Sequence, residues 1–386
     1  MPFRKILFWC HLCAGVASGI FVLLMSVTGV LLTYEHDMQL AVRNNAKTEF
    51  QSGNPRLSLD ELTDIATELS GTRDGVSLSM DRDPKAPVLV QKRGRDVILL
   101  DPFTGEQIDD PAKSLDEFFS YVVRLHRWLA MSGDSRETGK AITGAANLIF
   151  LFIVISGLYL WLPKIWRWSF IKLNLFFRRN LPTSKARDYN WHYVFGIWAL
   201  VPLFFIVLSG VIISYSWAGN LVYKLAGEDV PKRRGPPPQA SADLGDAGAD
   251  AAITLLSQQN ALENVLAGEE RKWKSVSIRL PKSNETPTIN FALNYGSGVT
   301  PNQRETHIYD RANERLEKIE TADDASLGRK LRIWFRFIHT GQQYGLIGQT
   351  IAGLASLAAC FLVYTGLALS FRRLILPLFR RRKTPA

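Results

Sequence analysis

Cysteine is nearly missing from this chain. Three occur in 386 residues, Cys10, Cys13 and Cys360, the last deep in an apolar run, and so few exclude a disulfide framework. In Cys10-His11-Leu12-Cys13 the next residue is Ala14, so the motif for covalent haem attachment is absent; no second Cys-x-x-Cys supports a thiol site, and both cysteines read as small apolar fillers. No Gly-rich fingerprint follows a strand, which argues against a bound flavin or nicotinamide. Asp, Glu, Lys and Arg are missing from four stretches: Leu12 to Tyr34, Ala141 to Pro163, Tyr189 to Tyr223 and Phe337 to Phe371. Each is longer than the roughly 20 helical residues that cross a hydrocarbon core. The first is too long, and too poor in small residues at a cleavage site, for a removable signal peptide; it reads as a retained anchor.

The charge that is present is basic, with 46 Lys and Arg against 36 Asp and Glu. That excess suits membrane faces and lipid rather than nucleic acid. Lys164, Arg167, Lys172, Arg178, Arg179, Lys185 and Arg187 crowd the segment between spans two and three against one acid, Asp188, and basic residues flank both termini, Arg4 and Lys5 at one and Arg380 to Lys383 at the other. Cytoplasmic termini and a cytoplasmic middle loop follow, with the two long polar segments outside.

Internal similarity is visible. Thr28-Gly29-Val30-Leu31-Leu32-Thr33-Tyr34 is echoed by Ser209-Gly210-Val211-Ile212-Ile213-Ser214-Tyr215, and His11 and Gly15 by His192 and Gly196 at the same offsets; Ser156-Gly157-Leu158 matches Thr365-Gly366-Leu367. The expected fold class is an α-helical membrane protein, a four-helix transmembrane bundle made from a duplicated two-helix unit, with two small α+β outer domains. The expected divisions are 1–36 (span one), 37–120 (first outer domain), 121–163 (outer histidine and span two), 164–190 (basic loop), 191–217 (span three), 218–330 (linker and second outer domain), 331–371 (outer histidine and span four) and 372–386 (basic tail). A helix is expected from Ser58 to Leu69, capped by Ser58 with Glu61 three residues on. Strands are expected at Gly75 to Met80, Ala86 to Arg93, Asp96 to Leu100, Trp273 to Leu280, Thr288 to Tyr295 and Arg304 to Tyr309, with a turn at Asp101 to Gly105. Gly235-Pro236-Pro237-Pro238 and the run to Asp250 read as a linker.

The six histidines carry most of the functional information. His11 and His192 stand at the cytoplasmic entrances of spans one and three, His126 and His339 at the outer approaches of spans two and four. An ionisable group at a span is a functional candidate, and four at repeat-related positions make two facing pairs. Zinc wants Cys or carboxylate partners that the outer pair lacks, whereas haem iron accepts two axial imidazoles and its flat ring suits a gap lined by small residues. Two haem b groups are therefore expected, with His11, His192, His126 and His339 as axial ligands. Gly15 and Gly196 follow their histidines by four residues, on the same helix face, where they leave room for a ring. Arg127 and Arg336, with Arg124 and Arg332, are candidates to pair with propionates or an anionic substrate. His36 is a reserve outer ligand, and His307 reads as plain surface.

Together these residues resemble the PepSY-associated transmembrane family, which includes PiuB-like iron-regulated proteins and FoxB-like inner-membrane siderophore reductases. The resemblance rests on Leu125-His126-Arg127, the [Ser/Thr]-Gly-Leu of spans two and four, the His-x-x-x-Gly openings of spans one and three, and the Asp101-Pro102-Phe103-Thr104-Gly105 turn. In the second outer segment Tyr309-Asp310-Arg311-Ala312-Asn313 departs from that turn. The resemblance implies a bacterial inner-membrane oxidoreductase that reduces ferric siderophore at its periplasmic side, a hydroxamate such as ferrioxamine being one candidate, fed by a cytoplasmic or quinol donor. Two other readings compete with it: a membrane-anchored sensor or peptide- or protease-binding module, and a transporter, against which stands the lack of charge within the spans.

Overall fold

The computed structural model describes residues 2–44, 55–92, 97–231, 255–283, 285–296 and 301–381. The linker from Gly235 to Asp250, Asp96 of the third expected strand and the end of the basic tail lie outside the described residues. In chain order the elements are α1 (Pro2–Leu32), α2 (Glu35–Asn44), α3 (Leu59–Ser70), β1 (Ser77–Asp81), β2 (Val88–Gln91), β3 (Val97–Leu100), β4 (Gln107–Ile108), α4 (Lys113–Trp128) and α5 (Ser135–Trp161). Then follow α6 (Trp168–Leu175), α7 (Ser184–Ser214), α8 (Ser216–Leu225), α9 (Gln258–Ala267), β5 (Ser275–Arg279), β6 (Thr288–Asn294), β7 (Arg304–Asp310) and β8 (Arg315–Glu320). The chain closes with α10 (Leu327–Thr340), α11 (Gly345–Leu374) and α12 (Leu376–Arg381). Contacts divide it into two compact units, one of 1–35, 116–228 and 331–386, the other of 36–115 and 229–330.

Among the described residues of the first unit, four helices are long and apolar enough to cross a membrane, those containing α1, α5, α7 and α11. Helix α1 packs on α5 and α11, and α7 packs on the same two. That leaves α1 and α7 diagonally opposed. Span three ends earlier than expected, because Tyr215 is extended and α8 begins anew. Span four begins later: Gly341, with φ of +77°, ends α10, and α11 starts at Gly345. His126 and His339 therefore sit in the last turns of the separate amphipathic helices α4 and α10. At the α4–α5 turn Gly139 lies so close to the Trp128 carbonyl that a Cβ would collide with it.

The second unit corrects the expectation of two outer domains. All eight strands belong to one antiparallel sheet in the order β4-β3-β2-β1-β5-β6-β7-β8, joined at its middle by β1 and β5, with Leu78 opposite Ile278. One core runs through both halves, from Leu59, Leu62 and Ala66 of α3 to Ala261, Leu262 and Val265 of α9, over Val90, Ile278, Phe291 and Leu293 of the sheet. Asp60 of α3 accepts from the backbone N–H groups of Gln258 and Gln259 at 2.9 Å each, filling the N-terminus of α9. Because the two polar segments share a sheet and a core, they form one folded unit rather than two.

Local rules explain the parts. Ser58 and Glu61 form the expected capping box of α3. Asp101 Oδ1 accepts from the N–H groups of Phe103 and Thr104, at 2.7 and 3.1 Å, and Asp310 Oδ1 accepts from Ala312 and Asn313, at 2.9 and 3.1 Å. The second turn is thus built like the first despite its different residues, Glu314 taking the left-handed conformation (φ of +50°) that Gly105 takes in the first (φ of +75°). Strand β8, absent from the expectations, is exposed along its whole length and charged, as an outer strand must be to resist further pairing.

Candidate functional site

Both expected histidine pairs come together inside the helical unit. His11 of α1 and His192 of α7 line one cavity of about 410 Å³, a volume within the range of small-molecule sites. Gly15, Gly19, Gly157, Gly196 and Gly366 line it too. A Cβ on Gly15 would meet nothing within 4 Å, and one on Gly196 only Leu362 Cδ2 at 3.8 Å. Side chains there would grow into the cavity, which is the clearance their spacing suggested. At the other pair the rings of His126 and His339 have centroids 6.3 Å apart. The two rings are inclined at 61° to each other, edge to face.

The hydroxyl partners of these rings determine their chemistry. His11 Nδ1 lies 2.8 Å from Ser156 Oγ, His126 Nδ1 2.8 Å from Thr28 Oγ1, His192 Nδ1 2.9 Å from Thr365 Oγ1 and His339 Nδ1 3.1 Å from Ser209 Oγ. Each of these hydroxyls already gives its single proton to a carbonyl of its own helix: Ser156 to Ile153 at 3.2 Å, Thr28 to Leu24 at 2.7 Å, Thr365 to Phe361 at 2.7 Å and Ser209 to Ile206 at 2.8 Å. The hydroxyl can then only accept from the ring, so Nδ1 carries the proton. His339 Nδ1 also faces the Ile206 carbonyl at 2.9 Å, which can only accept. By this network all four rings are assigned to one tautomer, with the Nε2 lone pair left for a ligand. The following glycine seats the ring in three cases, Gly157 and Gly366 each 3.4 Å, as a built Cβ, from Cε1 of His11 and His192, and Gly29 3.9 Å from Cε1 of His126. Gly210 serves a close helix approach instead, against Asn147. The hydroxyl of the dipeptide therefore serves a histidine in all four copies, and its glycine seats the ring in three. A histidine ligand held through its other nitrogen is the usual second layer of a metal or haem site.

The sequence model of the family described as the PepSY-associated TM region matches residues 8–373. The chain belongs to the PepSY-associated TM family. It is a helical membrane protein that also carries a β-sheet. Comparison with curated proteins gave no match.

Within this family member the remaining expected site residues fall less centrally. Arg127 and Arg336 are exposed, Arg127 over the Trp128 ring at 5.0 Å and Arg336 over Phe337 at 5.9 Å. Two cations the sequence did not single out for the site, Lys185 and Arg373, line the inner cavity. His36 lies in α2, which belongs to the other compact unit, and the outer pair is complete without it. Thr28, Ser156, Ser209 and Thr365 were visible as a repeated motif, but their role needed the helix neighbours. His307 is not plain surface: it is buried at 3% exposure.

Proposed function

We propose that this protein is a di-haem b electron-transfer protein of the bacterial inner membrane, which reduces ferric siderophore at a periplasmic unit and so releases Fe(II). The observation that carries this reading is the fourfold Nδ1–hydroxyl bond, which prepares four imidazoles as ligands in two pairs. His11 with His192, and His126 with His339, would hold the two groups. Haem held by these imidazoles would supply one-electron chemistry. The chain's own contribution is to fix each ring before the group arrives. Ser156, Thr28, Thr365 and Ser209 hold the ligand tautomer, Gly15 and Gly196 keep the inner wall open, and Lys185 and Arg373 offer positive charge to propionates. A duplicated two-helix unit explains why His11, Gly15, Thr28 and Gly29 recur at the same offsets as His192, Gly196, Ser209 and Gly210. The basic loop and termini support a cytoplasmic electron entry, and the shared sheet supports a substrate surface on the opposite side.

The test is optical. Purified protein reduced with dithionite should give a b-type difference spectrum, and ferric hydroxamate added without air should reoxidise it. A colourless protein that instead binds a peptide or protease partner one to one would establish the anchored-sensor reading.

A further inference from the structure

Outside the helical unit one cluster of ligating side chains has no role in the reading above. Glu305 and His307 are two residues apart on β7, hence on the same face of the sheet, and Glu269 follows α9. His307 Nε2 lies 3.8 Å from Glu305 Oε2 and 4.0 Å from Glu269 Oε2. These separations are too long for hydrogen bonds. They suit donors that share a cation at about 2.0–2.2 Å from each. The ring is 3% exposed, and among the described residues neither of its nitrogens, both buried, has a hydrogen-bond partner. A buried imidazole with neither nitrogen satisfied is costly, and it points into a cluster of three ligating groups.

Arg271 now supplies the positive charge. Its Nε lies 2.9 Å from Glu269 Oε1, its Nη2 3.0 Å from Glu269 Oε2, and its Nη1 and Nη2 2.7 and 2.5 Å from the two oxygens of Glu305. Its side chain is 54% exposed, whereas those of Glu269 and Glu305 are 7% and 19% exposed. The guanidinium therefore enters from solvent and can leave toward it. It neutralises the carboxylates but does nothing for His307. Tyr295 donates to Glu269 Oε2 at 2.6 Å and would hold that carboxylate in place once the guanidinium has gone.

We propose that Glu269, Glu305 and His307 form a site for a first-row divalent transition cation, closed by Arg271 until the metal displaces its guanidinium. One imidazole with two carboxylates matches that class of ion and not Mg²⁺ or Ca²⁺, which prefer all-oxygen shells.

Co(II) is the probe, and its binding is followed by isothermal titration calorimetry, which bound haem does not obscure. The full-length protein, stripped with EDTA, is titrated alongside His307→Gln, Glu305→Gln and Arg271→Met. The expected result is one Co(II) per chain that both His307→Gln and Glu305→Gln bind at least tenfold more weakly, while Arg271→Met binds it more tightly than wild type. His307 Nε2 comes no closer than 3.8 Å to the Glu305 carboxylate, so His307→Gln should keep the metal-free melting temperature. If Arg271→Met melts lower without metal, Co(II) should restore it. Equal Co(II) binding by wild type and His307→Gln, or weaker binding by Arg271→Met, overturns the proposal. If His307→Gln does not fold, Glu305→Gln and Arg271→Met decide it by the same opposite signs.

Discussion

The buried histidines of the two units differ in one respect that separates prepared ligands from a ligand in waiting. In the helical unit every ring of the four is anchored: its Nδ1 proton rests on a hydroxyl whose own proton is already given away. In the sheet unit His307 is more deeply buried and has no anchor among the described residues. An anchored ring presents one lone pair in one direction, so it can receive a rigid planar group without reorganising. An unanchored ring, beside two carboxylates bridged by a solvent-facing arginine, can accept a small ion by moving one flexible side chain.

Substitutions that sharpen this contrast have graded effects. The largest is expected from His11→Ala or His192→Ala, each of which should abolish one of two spectral components and leave the other, as read in the reduced-minus-oxidised spectrum. Filling the cavity from a wall should do the same to that component: Gly15→Leu grows into open space, so the protein should fold while its inner component is lost. Removing an anchor is milder. Thr28→Val, Ser156→Ala or Thr365→Val should weaken retention of the group at the adjoining histidine about 10–100-fold, measured as haem loss to apomyoglobin. Ser209→Ala should cost less than Ser156→Ala, because His339 keeps the Ile206 carbonyl as an acceptor.

The smallest effect belongs to the sheet unit and depends on pH. Glu269 is held to about 2, first by the Arg271 bonds, below the 4.5 of an unfolded Glu. A depressed carboxyl stabilises the fold fully above the unfolded value and loses that contribution as pH falls toward 2. Arg271→Ala should therefore lower stability by about 1 kcal/mol at pH 7, and the gap should close toward pH 2, as followed by urea midpoints.

Much of this was legible in the residues, because membrane spans are written in long uncharged runs and the histidines recur at fixed offsets. His11 with His192, and His126 with His339, could be paired from repeat positions alone. The hydroxyl anchors could be seen but not interpreted: Thr28 and His126 are 98 residues apart, and only helix packing brings them together. The single sheet was hidden for a related reason, since Leu78 and Ile278 meet across two spans and an alternating strand does not say which neighbour it takes. Strand β8 escaped because an exposed edge strand buries no face and so shows no alternation. His307 was misread because charged and polar neighbours on β7, Arg304, Glu305 and Thr306, make its strand look like surface, while the helix α9 that covers that face went unrecognised.

The most direct measurement is the haem content of purified full-length protein, by the pyridine haemochrome method, in wild type and in His126→Ala. Two haem b per chain in the first and one in the second are expected. A wild-type protein without haem, or a His126→Ala variant that keeps both, would contradict the claim that four anchored imidazoles act as two axial pairs.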